Sequence, residues 1–117
     1  MSERKLVAEE LSNLFNALSH PDRIRILEEL RNQERDVHSL SDSLGLSSSR
    51  VSQHLSLLKN LRMVQERRDG KHHFYSLIEK DLASWILEGV RFTASGVVES
   101  RSFDKAVKKA LSVWDPK

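Results

Sequence analysis

Leu6, Val7, Leu11, Leu14, Phe15 and Leu18 recur at three- to four-residue intervals and predict a first amphipathic helix over Glu3 to Leu18. Ser19-His20-Pro21-Asp22 follows as a start signal. Ser19 suits the cap, Pro21 the first turn, and Asp22 the third position of a capping box. The second helix is expected to reach about Arg31 and to bury Ile24, Leu27 and Leu30, with a polar connection from Asn32 to Asp36. Val37, Leu40 and Leu44 predict a short third helix that stops at Gly45, a residue tolerant of the left-handed cap conformation. Ser47 suits the cap of a fourth helix with the apolar stripe Val51, Leu55, Leu58 and Leu61.

The period then changes. Met63 to Arg68 and Lys71 to Leu77 read as two strands joined by Asp69-Gly70, a strong two-residue hairpin signal. Leu82, Trp85, Ile86, Val90 and Val97 predict a fifth helix over residues 81–98. Phe103, Val107, Leu111 and Trp114 predict a sixth over 102–114, with Ser102 as its cap. At 117 residues, without an internal repeat or flexible linker, the chain is expected to form a single domain over 1–117.

The middle of this pattern carries the chemistry. Gly45-Leu46-Ser47 separates two short helices, the spacing of a helix-turn-helix, and Leu46 can pack into the elbow. With Val51, Leu55 and Leu58 turned inward, Ser48, Ser49, Arg50, Ser52, Gln53 and Ser56 fall on the outer face, and His54 near its edge. Gln can pair bidentately with adenine and Arg with guanine, while Ser allows close approach. The hairpin brings Arg67, Arg68, Lys71 and His72 to its tip, where phosphate contacts fix register rather than sequence. Lys59 and Arg62 can add backbone contacts. A polar helix face or a charged hairpin alone is usually only a solvated surface. Their adjacency, order and shared sign favour double-stranded DNA as partner. The fold class expected is mainly α with a small β-hairpin, a winged helix-turn-helix whose DNA-reading unit spans 37–77.

Composition narrows the alternatives. Net charge is only +2, but residues 50–75 hold six cations against two carboxylates, so this stretch carries +4 and the remainder −2. The absence of cysteine excludes disulfides and thiolate chemistry. No apolar run approaches the roughly 18 residues of a membrane span. MSERKLVAEEL lacks the apolar core of a signal peptide, so a cytoplasmic protein is expected. No phosphate-binding glycine loop or convincing acid–base pair suggests an enzyme.

The segments ALSHPDRIRILEEL (Ala17 to Leu30), LSDSLGLSSSRVSQHLSLLKNLRMV (Leu40 to Val64) and RRDGKHHFYSL (Arg67 to Leu77) together resemble the ArsR/SmtB family of bacterial winged-helix repressors, over about Leu6 to Val97. The resemblance implies a homodimer joined by its first and fifth helices (3–18 and 81–98), two recognition helices reading an inverted repeat, and repression relieved by an effector. Leu11, Leu14, Trp85, Ile86 and Val90 are the candidate interface residues, although core packing competes for them. The 102–114 helix is expected to dock as an accessory element.

The family's two usual metal sites are poorly matched. Where a Cys-x-Cys pair is usual, this chain has Asp36 and His38, weak candidates for a borderline metal. At the site between fifth helices, Glu79 and Asp81 match one half, while Phe92 and Ser95 cannot form the other. Adjacent His72 and His73 point to opposite strand faces. No cofactor is assigned, and the effector is left open. Two alternatives stand beside a DNA-binding repressor: a zinc- or nickel-responsive version using Asp36 and His38, and an interaction module that has lost DNA readout.

Overall fold

Ser2 begins the first helix by accepting the Lys5 N–H on its hydroxyl at 3.2 Å, and α1 runs Glu3–Ala17 in the computed structural model, which describes residues 2–94, 108–110 and 112. The next helix, α2, is Pro21–Glu29. Its cap is His20, whose Nδ1 accepts the Asp22 N–H at 3.1 Å. Ser19, expected in that role, instead donates its hydroxyl to Asn16 O at 2.6 Å. Arg23 then closes the α1 end, donating to Ala17 O at 2.6 Å and Asn16 O at 3.2 Å, which satisfies carbonyls that a helix terminus leaves without partners.

The stretch expected to be a plain connection contains a strand. Arg35–Asp36 forms β1 and pairs antiparallel with Tyr75 and Phe74. Asp36 also caps α3 (Val37–Leu44), its carboxylate accepting the Ser39 N–H at 2.7 Å. Arg35 links three elements through Ser39 (2.9 Å), Ser43 (2.7 Å) and Glu29 (3.4 Å). Gly45 ends α3 with φ +67°, where a side chain would be strained. Ser47 caps α4 (Ser48–Asn60), accepting the Arg50 N–H at 3.1 Å.

Helix α4 ends in a Schellman motif: Met63 N–H reaches Leu58 O at 2.9 Å and Arg62 N–H reaches Lys59 O at 3.0 Å. Arg62 occupies the left-handed position at φ +60°, where glycine is usual. The chain leaves through β2 (Val64–Asp69) and returns through β3 (His72–Leu77), completing an antiparallel sheet of order β1-β3-β2. Asp69 pairs with His72, so the two loop residues are Gly70 and Lys71 rather than Asp69 and Gly70. Gly70 takes the positive φ (+62°) that the tight turn requires.

The core lies where α2, α3 and α4 meet the sheet. Ile26, Leu27, Leu40, Val51, Leu55 and Leu58 are fully enclosed, with Val64 and Leu77 closing the sheet side. Leu46 packs against this cluster from the elbow, as the spacing indicates. Two expectations shift. Ile26 rather than Ile24 is the buried isoleucine of α2, and Leu61 is exposed because α4 ends before it completes the stripe. Helix α5 covers Leu82–Glu88 only, followed by a 3-10 turn over Gly89–Phe92, after which Thr93 is extended. The expected 81–98 helix therefore changes character at Gly89, and its last residues lie outside the described ones. So does the expected 102–114 helix, apart from Lys108, Lys109, Ala110 and Ser112, which are helical.

Two stability outcomes are expected from urea denaturation. Leu55→Ala should cost roughly 2–5 kcal/mol, since a fully enclosed leucine leaves a cavity. Arg62→Gly should instead stabilise by about 1 kcal/mol by relieving the left-handed strain; a loss of stability would contradict the reading of that turn.

Candidate nucleic-acid interface

Because Val51, Leu55 and Leu58 are locked into the core, the rotation of α4 about its axis is fixed. Ser48, Ser49, Arg50, Ser52, Gln53 and Ser56 are all exposed on its other side. This is a continuous face of short hydroxyls with one amide and one guanidinium. Arg50 has no ion-pair partner among the described residues, so its fork is available to a ligand.

His54 departs from the expected face. Its side chain is only 11% exposed and turns toward α2, where its ring meets His20 edge-on at 4.6 Å between centroids. Burial, then the neighbouring His20 and Arg23, lowers its pKa from the ordinary histidine value. A DNA-reading role for His54 would require this packing to be undone.

The hairpin separates its cations by face. Arg67 and Phe74 are cross-strand partners, and the Arg67 guanidinium lies 4.8 Å over the Phe74 ring. Two of its nitrogens donate to Glu34, at 2.6 and 3.1 Å. This hydrogen bonding holds the Glu34 carboxyl below its ordinary range. Arg67, expected as a phosphate anchor, is thus engaged by a carboxylate 33 positions earlier. Arg68 lies on the opposite strand face, shared with Glu66, His73 and Tyr75. Arg68 and Lys71 have no ion-pair partner among the described residues, and both are exposed, as is His72 at the start of β3.

Glu66 joins the hairpin to α4. It accepts from Lys59 at 2.8 Å and from Tyr75 at 3.3 Å, and meets His73 Nδ1 at 2.5 Å. Hydrogen bonds from Lys59 and then His73 pull its carboxyl from the ordinary 4.5 to about 2. Lys59 is therefore tied to the hairpin rather than left free for a phosphate. A shallow concavity where β1 and the start of α3 meet α4 and the hairpin is lined by Asp36, Val37, His38, Ser52, Glu66, Lys71, His72, His73 and Tyr75.

The weak metal candidates Asp36 and His38 both line this concavity but belong to no cluster of three or more close ligand groups among the described residues. Asp36 caps α3, and His38, 84% exposed, pairs with Asp42 at 3.3 Å one turn along the helix. Three other residues do converge: His20, Asp22 and His54 place potential ligand atoms within 4.8 Å of one another. In the sequence 34 positions divide His20 from His54, and no local spacing links them.

Residues 20–66 match the profile of the family described as bacterial regulatory protein, arsR family. The crystal structure of Rv0081 from Mycobacterium tuberculosis superimposes with a TM-score of 0.65 at 37% identity, covering 83% of this chain and 94% of that one. The chain belongs to the ArsR family. By sequence, Rv0081, described as an uncharacterized HTH-type transcriptional regulator, is 45% identical over 73 residues (62% of this chain). The HTH-type transcriptional repressor SmtB of the same organism is 37% identical over 84 residues (72% of this chain). This chain spans 64% and 62% of the respective lengths of those two relatives. The crystal structure of NolR from Sinorhizobium fredii gives a TM-score of 0.67 at 35% identity, covering 78% of this chain and 91% of that one. ArsR-family proteins are regulators rather than enzymes, and the winged helix-turn-helix found here is their fold. No helix among the described residues is long and apolar enough to cross a membrane.

The Glu66 linkage has a defined pH signature. A carboxyl lowered on folding contributes stability in full above its unfolded value of 4.5 and loses it as pH falls through about 2. In paired urea titrations, the stability advantage of wild type over Glu66→Gln should be constant near neutrality and shrink from about pH 4.5 towards pH 2. An advantage that persists unchanged to the acid end would contradict this assignment.

Proposed function

We propose that the protein is a homodimeric transcriptional repressor that reads an inverted-repeat operator in double-stranded DNA. The observation that carries this reading is the exposed face of α4 beside Arg68 and Lys71, which have no ion-pair partner among the described residues. Gln53 and Arg50 are the base readers, and Ser48, Ser49, Ser52 and Ser56 allow close approach and phosphate contact. Arg68 and Lys71, with His72 beside them, anchor the flanking backbone. Arg67 is an anchor only if phosphate displaces Glu34, and Lys59 serves chiefly to hold the hairpin against α4. Occupying a promoter in this way blocks transcription by exclusion. The SmtB and Rv0081 relatives, together with the ArsR profile, support a regulatory role.

The dimer half of the proposal rests on a second surface. Val7, Leu11 and Phe15 follow one another at four-residue steps on α1 and are 43–58% exposed. Phe15 stacks on Trp85 of α5 at 6.3 Å, which continues the apolar strip onto a second helix, and Phe92 beyond it is 87% exposed. A strip of this extent on a small protein calls for a partner, and a second copy supplies the matching surface. Of the interface residues expected from sequence, Leu11 and Trp85 lie on this strip. Leu14 and Ile86 instead pack against the core, and Val90 is half-buried.

Fluorescence anisotropy on operator DNA obtained by selection tests the assignments. Arg68→Ala should weaken binding to all sequences and reduce the salt slope by about 1. Gln53→Ala should cost roughly 1–3 kcal/mol on the best operator and flatten preference at one base pair of each half-site. Unchanged affinity in both variants would overturn the interface. Phe15→Asp should yield a folded monomer in sedimentation, with loss of cooperative operator binding; a dimer retained in that variant would place the interface elsewhere.

A further inference from the structure

We propose that His20, Asp22 and His54 form a binding site for a borderline divalent metal ion of the zinc, cobalt or nickel type. The site would join the start of α2 to the inner edge of α4.

The geometry has several independent parts. Asp22 Oδ2 lies 3.8 Å from His54 Nε2 and 4.0 Å from His20 Nδ1. All three potential ligand atoms fall within a 4.8 Å sphere of mutual separations. A tetrahedral zinc with bonds near 2.0–2.1 Å holds its ligand atoms about 3.4 Å apart, so modest side-chain rotation closes the set. His54 Nε2 is buried and has no hydrogen-bond partner, an unsatisfied polar atom aimed at the Asp22 carboxylate. Such an atom carries a desolvation cost that coordination removes.

The donor set, two imidazoles and one carboxylate, suits borderline first-row metals rather than soft or very hard ones. The His20 side chain is 41% exposed, so the site is open to solvent on that side, where a water would supply the fourth ligand. Two features oppose binding. His20 Nδ1 already caps α2 by accepting the Asp22 N–H at 3.1 Å, so coordination through that atom would exchange the cap for the metal. Arg23 is a nearby cation that acts on His54, although its guanidinium is also hydrogen-bonded to Ala17 O and Asn16 O. The site is separate from Asp36 and His38, and independent of the DNA-binding assignment. Because His54 lies on α4 and Asp22 on α2, metal occupancy would tie the two helices together.

Cobalt(II) and zinc titrations of the full chain test the site directly. Wild-type protein should develop the ligand-field absorption of nitrogen- and oxygen-bound cobalt, saturating at one ion per chain, and zinc should both displace it and raise Tm. His20→Ala and Asp22→Asn should each weaken binding about tenfold or more, a loss that even outer partners of a metal ligand produce. Both should remain folded by circular dichroism. His38→Ala and His72→Ala should bind as wild type does. In histidine ring nitrogen NMR spectra, zinc should shift the His20 and His54 signals, which also reports on the site without substitution. The proposal is overturned by folded wild-type protein that gives neither a cobalt band nor a zinc-dependent rise in Tm. It is equally overturned by binding that survives in His20→Ala and Asp22→Asn but is lost in His38→Ala or His72→Ala.

Discussion

The burial of Val51, Leu55 and Leu58 is the constraint on which the rest of the molecule depends. These three side chains are fully enclosed, and together they set the rotation of one helix about its axis. Every outward position of α4 follows from that setting. The serines, Arg50 and Gln53 face outward because the stripe opposite them cannot leave the core. The caps at Asp36 and Ser47, the left-handed Gly45 and the Arg35 hydrogen bonds from α2 to α3 serve the same end. They fix where the helix starts, while the Schellman turn at Arg62 fixes where it stops and aims the hairpin.

Electrostatics divides the basic region into structural and available charge. The sequence counts six cations between residues 50 and 75. Two of them are spent internally, Lys59 on Glu66 and Arg67 on Glu34. Arg50, Arg62, Arg68 and Lys71 have no such partner among the described residues. An exposed ion pair contributes little to stability, but it does decide which guanidinium a phosphate meets first. The distribution of free charge, rather than total charge, is what this region presents to solvent beside α4.

Much of this was legible in the chain itself. Gly45, Ser47 and the Val51-Leu55-Leu58 repeat each act within one or two helical turns, and local chemistry of that range leaves a readable pattern. Other features depended on contacts between distant residues. The two-residue strand Arg35–Asp36 is too short to show a period and exists because the β3 edge offers it partners. The Glu34–Arg67 pair and the His20–Asp22–His54 cluster span 33 and 34 positions, so no spacing rule could reveal them. Ile24 and Ile26 sit two apart on one helix and cannot both face inward; only the neighbouring helices select Ile26. At the hairpin, Asp69-Gly70 announced a turn correctly, and the Asp69–His72 pairing moved it by one residue. His54 looked like an edge reader by position and is instead drawn in by α2.

Hydroxyl-radical footprinting on a selected operator tests the central claim most directly, since it maps backbone contacts without altering the protein. A dimer presenting two α4 helices and two hairpins should protect two symmetric patches on one face of the duplex. Their centres should lie about 10 base pairs apart, each flanked by a weaker protection from the hairpin. A single patch, protection spread evenly around the helix, or none at saturating protein would contradict the account.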